Sequence, residues 1–192
     1  MQRGKLILVI GPTGSGKGTL IRHATEQFTG LTFLDSYTTR QPRPDVVESV
    51  RYRFISVEEF RVRIERGDFL EWAEFSGNFY GTLKKDVEEG LTNGKIFIKE
   101  MDLQGVHQTK RILPREDVVT IFINGGSWEE LAARARRRAP MSEEELALRR
   151  ARYEIEMASM SEADTVISNG VGERDQADAA FEKVIAEVLA GR

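Results

Sequence analysis

Gly11-Pro12-Thr13-Gly14-Ser15-Gly16-Lys17-Gly18-Thr19 lies between an apolar run, Leu6-Ile7-Leu8-Val9-Ile10, and a segment carrying Leu20, Ile21 and Ala24 at helical spacing. Strand, glycine-rich loop and helix in that order form the context of a phosphate-binding loop. Glycines let successive backbone N–H groups turn inward around phosphate oxygens, and the helix N-terminus behind them adds partial positive charge. Lys17 can then reach the β- and γ-phosphates of a nucleotide. Such loops usually carry a Ser or Thr hydroxyl for Mg²⁺ directly after the lysine; here Gly18 stands there and Thr19 follows.

Outward from the loop, strand and helix patterns alternate, which implies an α/β fold with a parallel sheet covered by helices on both faces. A helix over 19–28 stops at Gly30, and 32–34 reads as a short strand. Residues 36–44, with two prolines and two arginines, read as an extended loop. Strand patterns return at 52–55 and 69–75, the latter followed by a turn at Gly77-Asn78 and a return at Phe79-Tyr80. Further strands are expected at 95–102, 118–123 and 165–168, and helices at 84–91 and 176–189. Ser56 to Glu59, Ser127 to Glu130 and Ser142 to Glu145 each fit a capping box opening a helix. The last two helices carry Arg134, Arg138, Arg149, Arg150 and Arg152.

Composition narrows the function classes. A chain of 192 residues with 40% hydrophobic and 31% charged residues suits one soluble α/β domain with small inserted lobes. A net charge of −3 and the lack of a long apolar run give no sign of a nucleic-acid or membrane partner. The absence of cysteine excludes disulfides and thiolate chemistry. His23 and His107 belong to no cluster, which argues against a zinc site or a Ser-His-Asp triad. Met1-Gln2-Arg3-Gly4 runs straight into the first strand without a leader pattern, so a cytoplasmic protein is expected.

The phosphate loop alone leaves the acceptor open. Arg40 and Arg43 offer two fork-shaped donors that match phosphate oxygens, and Tyr52 and Tyr80 add phenolic donors. Glu71 is flanked by Phe69, Leu70 and Trp72, where a carboxylate must find donors. Guanine presents N1–H and N2–H₂ side by side, which one carboxylate can accept together; adenine lacks that pair. Ser36 can donate to guanine O6, and Thr82 can add a contact. A structural salt bridge is the other account of Glu71.

With these pieces in place, the sequence resembles the guanylate kinases, which move a phosphoryl group from ATP to GMP. The likeness spans 6–169. It rests on the phosphate loop, Thr38-Thr39-Arg40-Gln41-Pro42-Arg43, the run from Phe69-Leu70-Glu71-Trp72 through Gly77-Asn78-Phe79-Tyr80-Gly81, and Met101-Asp102-Leu103-Gln104-Gly105. It implies a P-loop nucleoside monophosphate kinase fold with a core at 1–35, 83–126 and 156–192, an acceptor lobe at 36–82 and a lid at 127–155. It implies that Arg40, Arg43, Tyr52 and Tyr80 hold the GMP phosphate, and that Ser36, Glu71, Thr82 and Asp102 contribute to guanosine recognition. It places Arg134, Arg138 and Arg149 on a lid over ATP and Asn169 near the adenine. Lys17, Arg40, Arg138 and Arg149 would be catalytic, with GMP and dGMP as acceptors and Mg²⁺ bound with ATP near Thr19, Glu100 or Asp102.

The chain departs from the family pattern at Gly18, at Asp45-Val46 in place of Gly-Glu, at Glu100 in place of Asp, and at Asn124-Gly125-Gly126 in place of Pro-Pro. Three other readings compete. A related kinase acting on ribose bisphosphate needs no guanine reader, and a non-catalytic guanylate kinase-like scaffold module tends to lose the phosphate loop. An adenylate kinase would share the GKGT wording but not the acceptor insert.

Overall fold

The computed structural model describes residues 2–42, 52–138 and 141–191. Arg43, Asp45, Val46 and Glu48 lie outside the described residues, as does the side chain of Arg138.

The apolar run before the phosphate loop forms β1 (Lys5–Ile10), the central strand of a five-stranded parallel sheet. The others are β2 (Leu31–Phe33), β7 (Ile96–Glu100), β8 (Val118–Asn124) and β9 (Thr165–Ser168), in the order β2-β7-β1-β8-β9. Alternation along the central strands feeds two cores. Ile7, Val9, Ile98, Ile121 and Ile123 pack on one face against α1 (Lys17–Gln27) and α7 (Arg174–Ala190). Leu6, Leu8, Ile10, Phe97 and Phe122 pack on the other against α3 (Lys84–Thr92) and α4 (Leu103–Ile112). The parallel arrangement and two-sided cover agree with the sequence reading. The strand over 95–102 is shorter than expected, because Asp102 leaves it to cap α4.

A second, four-stranded sheet has the order β4-β3-β6-β5, with β3 (Ser36–Thr38), β4 (Tyr52–Phe54), β5 (Phe69–Phe75) and β6 (Asn78–Leu83). Residues 36–38 therefore do not belong to an extended loop. They pair with β4 on one side and β6 on the other, ahead of the first proline. Its own core stacks Phe60 of α2 (Val57–Glu65) on Phe69 and Phe79, at ring separations of 4.3 and 5.3 Å. The hairpin turn falls at Ser76-Gly77, one residue earlier than expected, with φ of +51° and +73°. A register shift between Phe69 and Glu71 sets Glu71 opposite Thr82.

All three capping serines accept from the backbone N–H three residues on: Ser56 from Glu59, Ser127 from Glu130 and Ser142 from Glu145. Glu130 also reaches back to the Ser127 N–H at 2.7 Å, which completes that box and opens α5 (Trp128–Arg138). The third cap opens α6 (Glu143–Ala158).

Candidate active site

The glycines of the loop are needed where they stand. Gly11, Gly14 and Gly16 all have positive φ. A Cβ at Gly11 would lie 2.4 Å from the Ile123 carbonyl oxygen, and one at Gly16 would lie 2.3 Å from Asn169 Nδ2. Lys17 begins α1 and is buried; its ammonium donates to the carbonyls of Gly11 at 2.6 Å and Pro12 at 3.1 Å. The Asn169 side chain donates to the Ser15 carbonyl at 2.7 Å. Arg134 donates to the Asn169 carbonyl at 3.3 Å and the Gly14 carbonyl at 3.4 Å. Arg134 and Asn169 thus both sit on the loop. The Asn124-Gly125-Gly126 departure is tightly packed: a Cβ at Gly125 would stand 2.6 Å from the Ser15 Cα.

The Glu100 carboxylate closes the side left bare by Gly18. Its Oε1 is 3.3 Å from the Lys17 ammonium, and its Oε2 is 3.7 Å from where a Cβ at position 18 would be. Glu100 and Thr19 line one cleft with Lys17, Gly18 and Arg22. Oxygen donors of this kind suit Mg²⁺, which typically takes one or two carboxylates and leaves its other positions to phosphates and water. The residues present fit that ion. Among the described residues, no cluster of three or more acidic, His or Cys side chains forms an all-protein metal cage.

A second cleft adjoins the first and shares Glu100 with it; Ser36, Tyr52, Glu71, Tyr80, Lys99 and Asp102 line it too. Arg40 lies 5.2 Å from the Tyr52 ring centre, and Tyr52 meets Tyr80 edge to face at 6.0 Å. One Asp102 oxygen accepts from the Gly105 N–H at 2.7 Å as the cap of α4. Glu71 is buried, lines this cleft, and its Oε1 lies 3.4 Å from the Lys99 ammonium. The expected salt bridge thus forms, and both its residues line this second cleft.

A third cavity, about 510 Å³, opens between Pro12 and Thr13 of the loop, the hairpin tip at Glu74 to Ser76, and the facing sides of α5 and α6. Arg149 and Arg152 line it; Arg149 is braced by Glu145 at 2.8 Å, and Arg152 lies 5.1 Å from the Phe75 ring. His23 and His107 are elsewhere, paired with Asp178 and Glu162.

Two site residues escaped the sequence reading. Lys99 directly follows three buried apolar residues in β7, and a cation at that place was its signal. Glu156, on α6, lines the third cavity; burial pushes its carboxyl above the usual carboxylate range, against the pull of Lys17 and Arg152. Nothing in sequence spacing pointed to it.

A family model described as guanylate kinase matches residues 3–188. The chain belongs to the guanylate kinase family. The guanylate kinase of Rubrobacter xylanophilus is 42% identical over 191 residues, covering 100% of this chain and 98% of that protein. That of Thermosynechococcus vestitus is 44% identical over 168 residues, covering 88% and 87%. A crystal structure of guanylate kinase from Anaplasma phagocytophilum superposes with a TM-score of 0.72 at 26% identity, over 99% of this chain and 87% of that one. This supports the P-loop kinase fold. The scaffold-module, ribose bisphosphate kinase and adenylate kinase readings are not favoured.

Proposed function

We infer that the adjoining clefts bind ATP and GMP, and that the chain is a phosphotransferase converting GMP to GDP, with dGMP as a further acceptor. The observation that carries the reading is the junction at Glu100: a phosphate-loop cleft built on Lys17 meets a cleft lined by Tyr52, Tyr80, Ser36 and Glu71. The acceptor phosphate is already ionised at neutral pH, so no strong general base is required. The difficulty is bringing two polyanions into line, and catalysis is positioning with charge neutralisation.

Gly11 to Thr19 cradle the ATP phosphates, and Lys17, Arg134, Arg138 and Arg149 offset their charge. Asn169 holds the loop through Ser15 and lies beside the adenine. Arg40, Arg43, Tyr52 and Tyr80 aim the GMP phosphate. Ser36, Glu71, Thr82 and Asp102 read the guanosine. Mg²⁺ entering with ATP would supply further neutralisation of phosphate oxygens, and Glu100 and Thr19, which line the Lys17 cleft, are the residues that would hold it; Asp102 lines the neighbouring cleft. Residues 36–82 act as the acceptor lobe and 127–155 as the lid over a core of 1–35, 83–126 and 156–192. The cysteine-free chain fits a cytoplasmic setting. Among the described residues no helix is long and apolar enough to cross a membrane.

Base choice tests the reading. Glu71→Gln replaces one acceptor oxygen with a donor that would face a donor on guanine. The expected loss in GMP selectivity is about 2–4 kcal/mol, a fall of roughly 30- to 1000-fold in the GMP/AMP ratio of kcat/KM. ATP binding measured alone should hold. Full retention of GMP preference would remove the guanine-reading role and leave the Lys99 salt bridge as the account of Glu71.

A further inference from the structure

Lys99 occupies β7, where Ile96, Phe97 and Ile98 are buried apolar residues. The interior of a parallel sheet has no packing use for an ammonium, and burying one is costly unless it is paired. The side chain is 5% exposed, and burial draws its pKa below the ordinary lysine value while Glu71 opposes the shift. The ammonium donates to Ser36 Oγ at 2.7 Å and to Thr82 Oγ1, and lies 3.4 Å from Glu71 Oε1. The Thr82 hydroxyl in turn donates to Glu71 Oε1 at 2.5 Å. Four residues on four strands, drawn from both sheets, thus meet at one cation.

The direction of each hydrogen bond follows from the donor inventory. An ammonium has three protons and no lone pair; a hydroxyl has one proton and two lone pairs. Ser36 accepts from Lys99, so its own proton cannot be aimed at Lys99. Thr82 has given its proton to Glu71, so it can only accept from anything else. Both contacts to Glu71 fall on Oε1.

We propose that Lys99 is a positioning residue for base selection: its ammonium occupies one lone pair on Ser36 and one on Thr82, which keeps the Ser36 proton off Lys99 and available to the cleft, and commits the Thr82 proton to Glu71. A hydroxyl donor beside a carboxylate is the complement of a carbonyl next to N–H groups, the edge that guanine presents; adenine offers no carbonyl to receive the Ser36 proton and no N1 proton for Glu71. This deepens the guanine-edge assignment made above and rests on it.

The test compares Lys99→Met and Ser36→Ala, singly and together, with GMP and AMP as acceptors and with melting temperature recorded. Lys99→Met should lower the GMP/AMP ratio of kcat/KM roughly tenfold or more, through the KM for GMP, and leave the KM for ATP within about twofold. The double variant should lose little more than the worse single variant, because Lys99 acts through Ser36. Lys99→Met that lowers only the melting temperature, with the GMP/AMP ratio unchanged, would make Lys99 a structural tether and overturn the inference. Multiplicative losses in the double variant would overturn it as well. Ser36→Ala with unchanged selectivity would remove the guanine-edge assignment itself, and the inference with it. A selective loss in Ser36→Ala but not in Lys99→Met removes the inference alone. Should Lys99→Met fail to fold, Lys99→Leu, whose side chain is apolar like those of its β7 neighbours, decides: a GMP/AMP ratio lowered roughly tenfold or more is expected, and an unchanged ratio would overturn the inference.

Discussion

Lys17 donates to the carbonyls of Gly11 and Pro12, and under the proposed function its ammonium exchanges those contacts for phosphate oxygens when a nucleotide arrives. Lys17→Met keeps the length and apolar stem but removes the charge. We expect kcat/KM to fall at least about 100-fold, the scale of losing one preorganised donor, with the circular dichroism spectrum unchanged. Near-normal turnover would refute the donor-site assignment. Lys99 gives a second residue-scale prediction, in pH. Its native pKa lies below the ordinary 10.5, so between the two values the unfolded chain holds more protons than the folded one. Stability should therefore rise with pH through that window. Urea midpoints taken from about pH 8 to about pH 10 should climb for wild type relative to Lys99→Met. Parallel curves would refute this. That Glu71 needs donors was legible from its apolar neighbours, but not which cation it would meet. That depends on which strand of the core faces the lobe, and the pattern of a single strand does not carry it.

The irregular pairing of β5 with β6 belongs to the scale of elements. Gly81 pairs with Trp72 beside that irregularity, and a Cβ there would stand 2.8 Å from the Phe69 ring and 2.9 Å from the Glu71 carbonyl oxygen. The backbone contact cannot be relieved by a rotamer change. Gly81→Ala should cost about 1–3 kcal/mol in a urea titration and raise the KM for GMP, because Glu71 moves with its strand. A stability loss with an unaltered KM would uncouple the pairing irregularity from acceptor binding. The helix starts were legible because a capping serine and a glutamate three residues on are local signals. β3 was hidden because prolines at 42 and 44 argued for a loop, and its pairing partners lie at Tyr52 and Gly81, well along the chain. The cap of α4 by Asp102 was hidden for a related reason. An acid at the end of a strand reads as a site residue and equally as the start of the next helix.

At the scale of the molecule, two inserted segments face each other across the cavity beside the phosphate loop. If they close on substrates, small-angle scattering should show a smaller radius of gyration with GMP and a non-hydrolysable ATP analogue than without them. An unchanged radius with both sites saturated would count against closure. The parallel sheet was readable from alternating patterns. The order β2-β7-β1-β8-β9 was not, because crossover connections decide it and hydropathy does not record them.

Phe75 at the hairpin tip and Arg152 on α6 touch across that cavity, ring against guanidinium. The contact is a latch between two walls of the cleft. A cation–π pair at a solvent-facing site is worth about 0.5–1 kcal/mol, so the latch is thrown open by thermal motion for a good share of the time. The latch therefore adds little to the cost of opening: under the proposed closure, the pace of release is set by how fast the flanking segments part and not by this contact.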